Sequence, residues 1–338
     1  MTPAPRLAAA VLASVLAAAS QARANDSTAE LAAGGLVMTR TAAIAMRSED
    51  LRISAAEVDV RYRFANTTRR DVTVTVAFPM PDVTTEGFDD MTAVPTEDPV
   101  NIMGFETRVD GAPVRAEAEQ KAVKNGVDHT AYLRGLGVPL APHLDATNRA
   151  LARLPRADQD ALVRKGLAVV DDYDSGHGME HHLEATWTLK TTFFWRQTFP
   201  AGRELVVEHR YKPSVGESAG TTWGAAWWAK DPAYAERRRH YCVDDDFIAS
   251  AARAIPAGDT SPNLTEQRIE YILTTGANWK APIGDFRMVI DKGDPANLVS
   301  FCGEGVRKTG PTTFEVRHHD YTPTRDVSVL ILKPRPTN

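Results

Sequence analysis

Only two cysteines occur in the 338 residues, Cys242 and Cys302. That is too few for the paired C-x-x-C arrangement of a zinc ribbon. No segment after residue 24 holds 18 uninterrupted apolar residues, so no later stretch reads as a spanning helix. There is no glycine-rich phosphate loop after a strand and no H-E-x-x-H, which removes the commonest nucleotide and zinc-protease signatures. Basic runs are missing too. Arg237-Arg238-Arg239 is the densest cluster, it reads as a solvated helix face, and the formal net charge is −5. Such a chain is a poor partner for nucleic acid. No repeat of 20 to 50 residues and no alternation of strands with helices is visible, which argues against solenoids and doubly wound α/β folds.

The amino terminus carries an address. Arg6 supplies a positive region, Leu7 to Ser20 is apolar and alanine-rich, and Ala22-Arg23-Ala24 reads as a small-residue cleavage site. Residues 1–24 are therefore expected to be a secretory signal peptide, with Asn25 as the mature amino terminus and the periplasm as destination. Losing Arg6 and Arg23 makes the exported chain more acidic. In an oxidising compartment, Cys242 and Cys302 are expected to form a disulfide.

The body of the chain reads as mainly β. Val58, Val60, Tyr62 and Phe64 alternate with charged residues, and Val72, Val74, Val76 and Phe78 repeat the pattern after a polar turn at 66–70. These two runs are expected to pair as an antiparallel hairpin that Pro79 and Pro81 stop. Asp110-Gly111 signals a second hairpin. From about 116 to 170 the sequence turns rich in Ala, Leu, Arg and Asp, and reads as a helical insertion with caps at Asp145 and Asp158. An acidic, glycine-bearing loop is expected from Asp171 to Gly178. Alternation returns at 187–211 and in several runs from 269 to 331, with short helices near 231–239 and 244–254. The expected architecture is two antiparallel β-sandwich-like parts with a helical insertion in the middle, divided into residues 25–215 and 216–338.

Several blocks strengthen this reading. Asn25-Asp26-Ser27, Gly34-Gly35-Leu36, Met46-Arg47-Ser48-Glu49-Asp50-Leu51 and Phe78-Pro79-Met80-Pro81-Asp82 occur in the first part. Phe199-Pro200-Ala201-Gly202, His209-Arg210-Tyr211-Lys212-Pro213-Ser214, Gly276-Ala277-Asn278-Trp279, Ile290-Asp291-Lys292-Gly293 and Ser300-Phe301-Cys302 follow. With these blocks the chain resembles the bacterial exported family catalogued as domain of unknown function 4424. The resemblance implies an extracytoplasmic protein and brings no activity and no catalytic residues. A shorter stretch, Val58 to Pro81, is similar to the start of the vault/inter-alpha-trypsin type β-domain, an interaction sandwich.

Three groups of residues could carry chemistry. Gly216-Glu217-Ser218-Ala219-Gly220 matches the G-x-S-x-G elbow, with His209, His318 or His319 as a base, but Thr221-Thr222-Trp223-Gly224 is a poor start for the helix that must follow. Asp174, His177, His181 and His182 form a possible metal cluster beside Asp171 and Asp172. His177 and His181 would share a face if that segment were helical. Trp223, Trp227 and Trp228 could form a binding loop for a glycan or a protein, or could plug the junction between sandwiches. Acidic pairs such as Glu49-Asp50 do not by adjacency place two carboxylates across a bond. The expected function is a non-catalytic binding or interaction module of the cell envelope. No cofactor is expected, the sequence leaves the partner open with an envelope protein or a glycan as the candidates, nucleic acid is not expected, and no membrane span remains after signal cleavage. Metal binding through the histidines and hydrolysis through Ser218 stand as alternatives.

Overall fold

The computed structural model describes residues 25–32, 35–85, 91–174 and 179–335. Among the described residues the strands form four sheets. The largest has the order β19 (Arg307–Lys308), β20 (Thr313–Tyr321), β17 (Ile283–Asp291), β3 (Ile44–Ser54), β4 (Val58–Asn66), β14 (Glu204–Tyr211), β7 (Glu106–Val109) and β8 (Ala112–Val114). A six-stranded sheet runs β10 (Val127–Asp128), β9 (Glu117–Lys124), β13 (Thr188–Phe199), β5 (Val72–Pro79), β1 (Ser27–Ala32) and β2 (Gly35–Thr39). A five-stranded sheet runs β18 (Leu298–Phe301), β21 (Val327–Pro334), β16 (Leu264–Tyr271), β15 (Val215–Ser218) and β6 (Met91–Ala93). β11 (Ala168–Asp174) and β12 (Met179–Ala185) form a separate hairpin.

The inner face of the eight-stranded sheet carries Val58, Val60, Tyr62 and Phe64 of β4 beside Leu205, Val207, His209 and Tyr211 of β14. Both smaller sheets close on this face. Phe78 and Trp195 of the six-stranded sheet meet the His209 ring at 4.8 and 5.5 Å between centroids. The Tyr62 and Tyr271 hydroxyls join the eight- and five-stranded sheets at 3.1 Å. One hydrophobic core therefore runs through all three sheets. The outer face stays wet, laced by Arg52–Asp291 at 2.6 Å, Arg63–Glu204 at 2.7 Å and Arg287–Asp50 at 2.9 Å. Exposed pairs of this kind add little stability, but they keep that face polar.

The mainly β architecture with sandwich-like packing follows the sequence pattern, whereas the partners differ in places. β4 and β5 do not form the expected hairpin. β4 pairs with β3 and β14, while β5 pairs with β1 and β13 in another sheet. The chain crosses between sheets at 66–71, where the Asn66 amide donates to Arg70 O and Phe199 O, both at 2.8 Å. Alternation states which face of a strand is buried and is silent about its neighbour. The Asp110-Gly111 hairpin does form, with positive φ at both residues (49° and 80°), as a two-residue mirror-image turn requires. β17 lies parallel to β3, with Asp285 opposite Ser48. The expected division at 215/216 falls inside β15, and strands from both sides of it share the eight-stranded sheet.

The helical insertion begins later than 116. Glu117–Lys124 is β9, paired along β13, so tertiary pairing overrides a helix-favouring composition. Helices follow as α1 (Thr130–Gly135), α2 (Asp145–Arg153) and α3 (Arg156–Arg164). Leu144 and Pro155 occupy the cap positions, and Asp145 and Asp158 sit in the first turns, where a carboxylate suits the helix dipole. The Trp187 indole donates to Leu140 O at 2.7 Å and ties the insertion to the six-stranded sheet. α4 (Pro232–His240) and α5 (Asp245–Ala252) are capped by Asp231 and Asp244, which accept from Ala233 N and Phe247 N.

Cys242 and Cys302 are bonded across a separation of 60 residues. On the chain-entropy picture such a loop is worth about 4 kcal/mol. Reduction should therefore lower the urea midpoint substantially, and an unchanged midpoint after full reduction would contradict this account.

Candidate functional site

β21, in the five-stranded sheet, is buried on both faces from Val327 to Leu332. In β21, Val327, Val329 and Ile331 enter the main core, while Leu330 and Leu332 join Leu264, Trp223, Trp228, Tyr241 and Phe247 in a second, smaller one. A strand covered twice reads as the near-continuous apolar run Val327 to Leu332. Beside the smaller core the same sheet face opens into a cleft of about 640 Å³. That volume suits a small molecule.

The cleft floor is built on β15 and β16. Their register sets Ser218 opposite Glu266 and Gly216 opposite Arg268. Glu266 is buried and accepts from the Thr221 hydroxyl at 2.7 Å, from Arg237 Nη2 at 3.0 Å and from Arg268 Nη1 at 3.1 Å. Two guanidinium groups share this one carboxylate. Arg335 adds a third guanidinium to the lining, with Asp231 and Asp259 as counterweights. Arg237 also lies over the Trp228 and Trp223 rings, at 5.4 and 5.9 Å, which fixes its position between core and cleft.

The three tryptophans have separate roles. Trp223 and Trp228 are core residues in edge-to-face contact at 4.5 Å, packed in the smaller core with Phe247 and Leu330. Trp227 lines the cleft with 51 % of its surface exposed.

The G-x-S-x-G motif has a different explanation from a nucleophile elbow. Ser218 ends a strand, and its hydroxyl donates to Gly220 O at 2.8 Å. A β-carbon at Gly216 would stand 3.2 Å from Arg268 Nε, and one at Gly220 would stand 3.0 Å from an Arg335 nitrogen. The glycines leave room for arginines. His209 is sealed in the core, where its Nε2 donates to Asp26 Oδ1 at 3.0 Å. His318 stacks on Tyr321 at 4.9 Å, and His319 Nδ1 meets Asp285 at 2.6 Å. None of these imidazoles lines the cleft.

Of the four candidate metal ligands, His177 lies outside the described residues, as do the side chains of Asp174 and His181. The backbone of this segment is the β11–β12 hairpin, with Asp172 opposite His181 and Asp171 opposite His182, so neither a loop from 171 nor a shared helical face exists there. Among the described residues no group of three or more His, Cys, Asp or Glu side chains is placed to hold a metal ion.

Sequence reading took Arg237 for part of a solvated helix face, whereas it pairs with Glu266, and missed Glu266, Arg268 and Arg335. The available signal was Glu266 and Arg268 on the same strand parity as the buried Leu264, where charge demands a partner.

The fold and cleft define a mainly antiparallel β protein of several packed sheets with one charged, tryptophan-edged cavity. Among the described residues no helix is long and apolar enough to cross a membrane. The chain belongs to the family described as Domain of unknown function (DUF4424), which matches residues 24–330. No curated protein matches it. Among solved structures it is similar to a candidate nutrient binding protein from Legionella pneumophila, at 15 % identity and a TM-score of 0.44, covering 91 % of this chain and 70 % of that one. A second likeness is to an M1 zinc metallopeptidase variant from Deinococcus radiodurans, at 9 % identity and a TM-score of 0.19, covering 87 % and 43 % respectively.

Proposed function

We propose that this protein is an extracytoplasmic binding module without catalytic chemistry, exported through residues 1–24 and released by cleavage before Asn25. Its ligand site is the cleft between β15, β16 and the tryptophan segment. The observation that carries this reading is the pairing of the ion-paired Arg237–Glu266–Arg268 floor with the exposed Trp227 ring. The guanidinium groups and carboxylates of the lining suit a polar ligand, and the indole favours a flat or sugar-like face. The Ser218 hydroxyl is turned to Gly220 O, and no imidazole stands among the described cleft residues to pair with it as in a Ser–His arrangement.

The test is Trp227→Ala with a thermal-shift panel of sugar acids, neutral sugars and small carboxylates. A ligand at 100 times its Kd should add about 2.7 kcal/mol to the wild type. The variant should fold with wild-type stability, because half of the ring already faces solvent, and should lose the ligand shift. A destabilised variant, or one that keeps the full shift, would move the site elsewhere.

A further inference from the structure

The first residues of the described chain lie in the middle of the protein. Asn25, Asp26 and Ser27 are fully buried. The tight turn at Thr274–Asn278 and the residue after it clamp them. Thr275 Oγ1 donates to Asn25 O at 2.7 Å, Trp279 Nε1 to Asp26 O at 2.7 Å, and Asn278 Nδ2 to Ser27 Oγ at 2.9 Å. Gly276 lets the segment in, since a β-carbon there would stand 2.8 Å from Asn25 Nδ2.

Charge in this chamber does not balance. Asp26 has the His209 ring as its partner. Glu49, also fully buried, receives among the described residues only Asn25 Nδ2, at 3.1 and 3.3 Å, and the Tyr271 hydroxyl, at 3.4 Å. No cationic side chain among the described residues pairs with it. Two further acceptors, Asn25 Oδ1 and Asp26 Oδ2, are buried without a donor. A sealed carboxylate and two orphaned oxygens call for a compact cation with several N–H donors.

We propose that Glu49, Asn25 and Asp26 form a receptor for an α-ammonium group, and that its occupant is the chain's own amino terminus at Asn25. This rests on the export reading above. Hydrolysis of the Ala24–Asn25 bond by an export peptidase adds water across it: hydroxyl goes to the Ala24 carbonyl and hydrogen to the Asn25 nitrogen, which takes up one more proton. The new ammonium stands on the residue whose side chain already touches both Glu49 oxygens. Removal of the leader thereby supplies the missing charge, and the exported form becomes the stable one.

The experiment compares residues 25–338 released with a free Asn25 amine, the same chain acetylated at that nitrogen, and the chain extended by two residues, each with and without Glu49→Gln. The free form should melt about 5 °C or more above the other two. Glu49→Gln should erase that difference. Amine-reactive ester at pH 7 should modify the native Asn25 nitrogen about tenfold or more slowly than in urea. Equal melting of the three forms, a difference that survives Glu49→Gln, or labelling at the unfolded rate would overturn the receptor. If Glu49→Gln does not fold, the labelling decides alone. The mass of the protein recovered from a bacterial envelope judges the other reading separately: a start other than Asn25 overturns cleavage at that bond, whatever the recombinant forms do.

Discussion

Replacing His209 with alanine should lower the free energy of unfolding by about 3–5 kcal/mol, the usual cost of removing one partner from a buried pair. The ring is packed among Phe78, Phe105, Trp195 and Tyr62 at centroid distances of 4.8, 5.1, 5.5 and 5.6 Å. Truncation opens a cavity in the aromatic centre and strips Asp26 of the bond at Oδ1. While the Asn25 nitrogen is still in an amide, the other oxygen, Oδ2, has no donor to compensate. Asp26→Asn should cost much less, since it removes the charge and keeps a hydrogen-bonding oxygen. Urea denaturation of the two variants is the check. A His209→Ala protein as stable as the wild type would mean that Asp26 and His209 are not coupled in the core.

The second large effect is a pH dependence in the chain whose Asn25 nitrogen is still in an amide. There burial pushes the Glu49 carboxyl up to about 8 from its ordinary 4.5. The folded state then holds a proton that the unfolded state releases, so it binds more protons throughout that window. Stability is complete below about 4.5, falls as pH rises, and is fully lost above about 8, a contribution on the order of 5 kcal/mol. The titratable groups that face Glu49 are Asp26 and the Tyr62, Tyr271 and Tyr321 phenols, whose own ionisation burial pushes upward. Burial raises Asp26 as well, which adds a loss of the same sign. Glu49→Gln isolates the Glu49 part: between pH 5 and 8 the urea midpoint of the acetylated chain should fall, and that of its Glu49→Gln variant should fall far less. A free Asn25 amine should flatten the curve in the same way. Equal slopes with and without Glu49 would remove the carboxyl from the account.

The residues behind both effects were partly legible. Met46-Arg47-Ser48-Glu49-Asp50-Leu51 gives Glu49 the parity of Leu51 and Ile53, the buried face of β3, and leaves Asp50 outside. His209 shares the parity of Leu205, Val207 and Tyr211 in β14. A charged or polar group on the apolar parity of a strand is visible in sequence as an anomaly. Its resolution is not visible, because the partner lies 183 residues away for His209 and 248 for the Asn25 contact to Leu273 O. The same holds at the cleft. Gly216 and Gly220 stood out as a motif, but only the register of β15 on β16 shows that they make space for Arg268 and Arg335.

By itself the sequence determined which faces of the strands are buried, where the helices at 232–240 and 245–252 begin, that Asp110-Gly111 turns a hairpin, and which family the chain resembles. These follow from properties read within a few residues: alternation, capping side chains and permitted φ angles. Tertiary structure alone decided that β4 and β5 part into different sheets, that β17 lies parallel to β3, that Trp227 is exposed while Trp223 and Trp228 are core, and that Asn25 to Ser27 fill the centre of the fold. The physical reason is that backbone pairing and charge neutralisation depend on which distant segment arrives alongside. Short-range patterning specifies a strand that will accept a neighbour, and the packing of the whole chain selects it.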